Sequence, residues 1–150
     1  MSGTDDPAPV MVDTNVVVYA YDPSDLAKHN QAIELLAALS EQGRLMMSAQ
    51  VFNEFSNVLM SRRREQPLAP PEVPTILRRL LMIGKVVPLT ASMTLRAPDA
   101  IPRHGFSFWD ALVWAAAKEH GATVLSTEDF QHGRQIEGVR IVHPFEVFPA

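Results

Sequence analysis

Short apolar runs separated by helix-length segments recur along this chain, and that alternation constrains its fold more tightly than any other feature. Val10-Met11-Val12, Arg44 to Met47, Lys85 to Leu89, Thr123 to Ser126 and Val139 to Val142 each have the length of a buried strand. Between the first two, Asp25 to Gln42 predicts a helix: Ala32, Leu35, Leu36 and Leu39 fall at three-and-four spacing, and Gly43 supplies a stop. Ser48 is placed to cap a helix running to about Arg64, with Val51, Phe55, Val58 and Leu59 along one face. Four prolines between Gln66 and Pro74 predict a loop that leads into a helix ending near Ile83. Ala91 to Arg96 predicts a short helix, Pro98 to Gly105 an irregular stretch, and Ser107 to Gly121 a further helix. Val16 to Tyr19 is expected to carry the first apolar run into a loop or turn. Strands alternating with helices predict an α/β fold, with a central parallel sheet of about five strands covered by helices on both faces.

At 150 residues, with 47% hydrophobic and 20% charged side chains, the chain has the size and composition of one globular domain. Residues 10–150 are expected to form that domain, and residues 1–9, short and acidic, to be a flexible N-terminus without a secretory pattern. No apolar run reaches the roughly 18 to 20 residues that span a bilayer, so no membrane partner is expected. The absence of cysteine excludes disulfides and thiolate metal sites and fits a cytoplasmic protein. A net charge of −4 argues against bulk electrostatic capture of nucleic acid, although Arg62-Arg63-Arg64 and Arg78-Arg79 are grouped. Bound divalent ions would change that balance.

Ligands of open parallel sheets sit beyond the carboxyl ends of the strands. Asp13 and Asp129 fall at two such ends, while Glu54 and Asp110 lie in apolar helical segments. Each acid has a plain structural reading. Asp13 can bond the backbone of a strand-to-loop turn. Glu54, three residues after Val51 and four before Val58, can sit at the border of a helix stripe and reach solvent or Arg62 or Arg63. Asp110 can complete a capping box with Ser107, and Asp129, Glu128 or Thr127 can cap a turn. Thr14 and Asn15 add polar groups able to orient a carboxylate. Asn15 also argues against aspartyl phosphatase chemistry, which needs a second Asp there.

The conjunction is more informative than any one acid. Four carboxylates gathered at one sheet edge, without His or Cys at metal-ligand spacing, select a hard cation such as Mg²⁺ or Mn²⁺. Such ions suit phosphodiester hydrolysis. Without metal, crowded carboxylates repel and one takes up a proton.

The motifs Val12-Asp13-Thr14-Asn15-Val16, Glu54 within Ser48 to Leu59, Ser107-Phe108-Trp109-Asp110-Ala111-Leu112, and Leu125-Ser126-Thr127-Glu128-Asp129-Phe130-Gln131-His132-Gly133 occur in that order, followed by Ile136 to Phe145. In order and spacing the chain resembles PIN-domain ribonucleases, in particular the VapC-like toxins of toxin–antitoxin pairs. The resemblance implies a PIN-like three-layer fold and a Mg²⁺- or Mn²⁺-dependent endoribonuclease acting on single-stranded or loop RNA. It implies Asp13, Glu54, Asp110 and Asp129 as catalytic metal ligands, with Thr127 orienting the cluster and Asn15 holding Asp13. Glu128 competes with Asp129 for the fourth role, and the acid directly before Phe130 is the one the motif favours. The resemblance further implies a homodimer silenced by a cognate antitoxin.

Trp109, Trp114, Phe106 and Phe108 read as core or interface rather than as platforms for bases. The five histidines are scattered, and His132 reads as a solvated loop residue. Arg62-Arg63-Arg64 reads as a solvated helix end. Two rivals remain: another metal-dependent phosphate hydrolase, which lacks support from any Gly-rich phosphate loop, and a non-catalytic PIN-like binding module whose acids only cap turns.

Overall fold

The sheet has six strands in the order β3 (Lys85–Val87), β2 (Leu45–Ser48), β1 (Val10–Val12), β4 (Val124–Ser126), β6 (Val139–Val142), β5 (Gln135–Ile136), which places its first and fourth strands side by side. The computed structural model describes residues 7–146. The segment expected to be flexible, residues 1–9, lies largely outside them. After β1 come α1 (Thr14–Ala20), α2 (Leu26–Glu41), β2 (Leu45–Ser48) and α3 (Ala49–Met60). A 3₁₀ turn at Pro70–Glu72 leads into α4 (Val73–Ile83), β3 (Lys85–Val87), α5 (Ala91–His104) and α6 (Phe108–Glu119). β4 (Val124–Ser126), β5 (Gln135–Ile136) and β6 (Val139–Val142) are the last elements among the described residues.

Alternation along the strands builds the three layers. Met11, Met46, Leu125 and Ile141 face a core made with α5 and α6, among them Met93, Ala97, Leu112 and Trp114. Their neighbours Val10, Val12, Leu45, Met47, Val124 and Val142 face the opposite core with Val16, Leu35, Leu39, Phe55 and Leu80. With both faces covered, every residue of β1, β2 and β4 is buried, which is why these strands read as continuous apolar runs, while the edge strands β3 and β5 keep exposed positions at Lys85 and Gln135. Val10, Met11 and Val12 are aligned with Val124, Leu125 and Ser126, and this register sets the ends of β1 and β4 level.

Five strands are parallel, as the alternation predicts, and a sixth, β5, is antiparallel to β6. Gln135 pairs with Arg140 and Ile136 with Val139, leaving Glu137 and Gly138 as a two-residue turn. Both have positive φ, 47° and 88°, as the tight hairpin turn demands. A strand of two residues is too short to leave a periodic signal.

Three other segments depart from the sequence reading. Thr14–Ala20 is a helix rather than a loop, because Asp13 caps it and Val16 and Val17 bury against the sheet; packing overrides the poor helix propensity of three valines. α3 ends at Met60, and Ser61 is extended, so Arg62 to Arg64 lie beyond the helix. α5 runs unbroken from Ala91 to His104 through Pro98 and Pro102. The prolines are exposed and four residues apart, on the face opposite the buried Met93, Ala97 and Ala100. The carbonyls they leave unbonded therefore lie on the exposed side of the helix, where water can bond them. Gly105, at φ 71°, ends the helix.

Candidate metal centre

The chain leaves β1 toward β2 and β3 on one side and returns to β4 on the other, so the β1–β4 boundary is the switch point of the sheet. Asp13 lies at the carboxyl end of β1, with its amide donating to the Ser126 carbonyl at 3.0 Å. It is buried, with 4% of its surface exposed. One carboxylate oxygen accepts from the Thr14 amide at 2.8 Å, and the other from the Thr127 hydroxyl at 2.8 Å. Burial pushes its pKa up to about 6, against the lowering effect of the Thr127 and Thr14 hydrogen bonds and with help from the charges of Asp129 and Glu54.

Thr127, fully buried, is the hub of the site. While donating to Asp13, its Oγ1 accepts from Asn15 Nδ2 at 3.2 Å and from the Asp129 amide at 3.1 Å. Asn15 Nδ2 also donates to Asp129 Oδ2 at 3.0 Å. Asn15 thus holds Asp129 and Thr127, and reaches Asp13 only through Thr127.

Asp110 stands on the first turn of α6, where its amide donates to the Ser107 hydroxyl at 3.2 Å. Burial raises its pKa, with the Ser107 hydrogen bond opposing and the Asp129 charge adding. Asp13, Asp110 and Asp129 each offer a carboxylate oxygen, and these oxygens lie within 4.8 Å of one another. Three segments far apart in sequence therefore converge. Like charges at that distance strongly favour a counter-cation or a shared proton.

Glu54 stands outside that close group. It is exposed at the border of the α3 stripe, near enough for its charge to be felt at Asp13. The residue that holds it, Gln50, was not singled out from the sequence, although the four-residue spacing along one helix was a legible signal. Gln50 is buried, and its Nε2 donates both to Glu54 Oε1 at 2.9 Å and to the Trp109 carbonyl at 3.0 Å. It ties α3 to the start of α6.

Glu128 turns away from the three aspartates. Its Oε2 pairs with Lys28 Nζ at 3.0 Å, and that ammonium lies 5.0 Å from the Tyr19 ring centroid and 5.3 Å from that of Phe145. His132 is exposed, and its Nδ1 accepts from the His143 amide at 3.0 Å, a contact between the loop after β4 and the end of β6. Trp114, Phe106 and Phe108 are buried or packed against the core, but Trp109 is not: 63% of it is exposed. No helix among the described residues is long and apolar enough to cross a membrane.

An all-oxygen set of closely spaced carboxylates, one largely desolvated, fits a hard divalent cation and excludes the softer sites built from His or Cys. Asp13, Asp110 and Asp129 are the residues able to hold it directly, with Glu54 at the rim.

A protein-family model described as PIN domain matches residues 10–135. No curated protein matches in sequence. Among solved structures the chain is similar to Mycobacterium tuberculosis VapC20, described as a sarcin–ricin loop cleaving toxin, at 26% identity and a TM-score of 0.61, over 77% of this chain and 86% of that one. It is similar to a toxin–antitoxin complex from Klebsiella pneumoniae at 17% identity and a TM-score of 0.67, over 92% and 99% of the two chains. It also resembles VapBC2 of Rickettsia felis bound to a promoter DNA fragment, at 18% identity and a TM-score of 0.63, over 90% and 97%. At those last two identities the likeness is one of fold.

Proposed function

The chain belongs to the PIN domain family, and from that premise we propose that it is a Mg²⁺- or Mn²⁺-dependent endoribonuclease, the toxin of a toxin–antitoxin pair. The observation that carries the reading is the convergence of Asp13, Asp110 and Asp129 at the β1–β4 switch point. Asp13, Asp110, Asp129 and Glu54 would hold the metal, which when bound supplies Lewis acidity to a water and to the phosphodiester. The chain's own part is positional. Thr127 directs one oxygen of Asp13 and keeps the carboxylate from turning; Asn15 fixes Asp129 against the same hydroxyl; Gln50 fixes Glu54. Burial of Asp13 keeps bulk water from screening the charge offered to the cation. The similarity to VapC20 supports cleavage of RNA, and the solved toxin–antitoxin complexes support an antitoxin as partner. The proposed working unit is a cytoplasmic homodimer.

Purified protein incubated with total cellular RNA and Mg²⁺ or Mn²⁺ tests the reading, with EDTA and Asp13→Asn as controls. Discrete fragments that vanish in both controls are expected. Cleavage that persists in Asp13→Asn, or folded protein that neither cuts RNA nor binds Mn²⁺, would sink it.

A further inference from the structure

We propose that the Trp109 indole is the platform on which a base of the single-stranded RNA substrate stacks beside the acid cluster. This rests on the ribonuclease reading above and adds to it a substrate-binding contact that selects an unstacked strand.

Trp109 is 63% exposed, and it is the aromatic member of the large apolar side chains exposed among the described residues. The others, such as Leu26, Met82 and Leu95, have no π-face to offer a base. The neighbouring rings are already used: Phe106 stacks on Phe130 at 4.9 Å, and Trp114 is 1% exposed with its Nε1 donating to the Ile136 carbonyl. Phe108 meets the Trp109 ring edge-on, at 5.3 Å and 77°. Position matters as much as exposure. The next residue, Asp110, belongs to the three-aspartate group, and the Trp109 carbonyl shares one Gln50 amide nitrogen with Glu54. The indole is therefore rooted in a braced backbone between two acids of the site rather than on a free loop.

The electrostatics call for such a contact. A chain of net charge −4 with a carboxylate cluster at its site gains little from bulk attraction for phosphates. Stacking supplies affinity that does not depend on charge, accepts any base, and needs an unstacked single strand.

The two tryptophans make the test direct, since Trp114 is buried and only Trp109 can meet a ligand. Asp13→Asn protein, used so that the probe is not cut, is titrated in Mg²⁺ with a short oligoadenylate and with an abasic oligomer of equal length and charge. The oligoadenylate is expected to quench tryptophan emission, and the abasic oligomer to bind more weakly without quenching. Adding Trp109→Ala should weaken oligoadenylate binding roughly tenfold or more while leaving the salt dependence of binding unchanged; Trp109→Phe should retain most of the affinity. Equal affinity in Trp109→Ala, or binding without quenching, overturns the stacking assignment and leaves the ribonuclease reading standing. Emission that changes with protein concentration alone would assign Trp109 to a contact between copies and overturn it as well. Failure of both oligomers to bind overturns the stacking assignment, and the ribonuclease reading is then decided separately by the cleavage of total RNA.

Discussion

Thr127 Oγ1 lies 2.8 Å from Asp13 Oδ2 across 114 positions of sequence, and this one hydrogen bond couples the ends of β1 and β4. The hydroxyl also accepts from Asn15 and from the Asp129 amide, so its proton is committed to Asp13. The geometry of the acid cluster depends on that commitment.

Replacing Thr127 with Val keeps the shape and removes the hub. Asp13 loses a hydrogen bond that lowers its pKa, and Asp129 and Asn15 lose their shared acceptor. Cleavage and Mn²⁺ affinity should fall roughly 10- to 100-fold, as for other residues that orient ligands. Thr127→Ser, which keeps the hydroxyl, should recover most of the loss. Isothermal titration with Mn²⁺ beside a cleavage assay reads both.

Asp13 predicts an unusual pH dependence of stability in the absence of metal. Its folded pKa, about 6, lies above the ordinary 3.8, so the folded state binds the proton more tightly than the unfolded chain. That contribution is fully present below the unfolded value and is lost as pH rises through about 6, on the order of 2–3 kcal/mol. Asp13→Asn escapes the loss, but its amide can satisfy only one of Thr14 N–H and the Thr127 hydroxyl, which costs about 1 kcal/mol. In EDTA the variant should be more stable than wild type by about 1–2 kcal/mol near pH 8 and slightly less stable near pH 3. Urea unfolding at the two pH values checks the crossing.

Glu128 and Asp129 are adjacent in sequence and opposite in role. Glu128→Gln weakens a partly exposed pair with Lys28, so cleavage should stay within about fivefold of wild type. Asp129→Asn removes a carboxylate from the close group and should lower cleavage on the order of a hundredfold. Equal losses in the two variants would show that Glu128 enters the site.

Gln50→Leu should separate positioning from stability. The variant loses two hydrogen bonds but also removes a buried Oε1 that has no partner, so the two effects nearly offset and stability should change by less than about 1 kcal/mol. Glu54, released from its only side-chain donor among the described contacts, should no longer be held at the rim, and cleavage should fall roughly tenfold. A large fall in the thermal midpoint would instead mark Gln50 as a core residue without a part in the site.

Local patterns explain how much was legible. Asp25, Ser48 and Ser107 announce their helices because a cap acts on amides within three residues. α1 was hidden because its valines favour strand or turn in isolation and become helical only when Val16 and Val17 are buried. α5 was hidden because the cost of Pro98 and Pro102 depends on which face of the helix they occupy, and only packing against α6 reveals that face.

By itself, the sequence determined the layers, the five parallel strands and the acids available for a site, since these follow from periodicity and from contacts between near neighbours. Tertiary structure alone decided how they are used. It brought Asp13, Asp110 and Asp129 within 4.8 Å, drew Glu128 away to Lys28, and left Trp109 exposed while burying Trp114. The physical reason is that a turn residue's side chain follows whichever partner the sheet register sets beside it. That partner can lie more than a hundred positions away, where no pattern read along the chain can reach it.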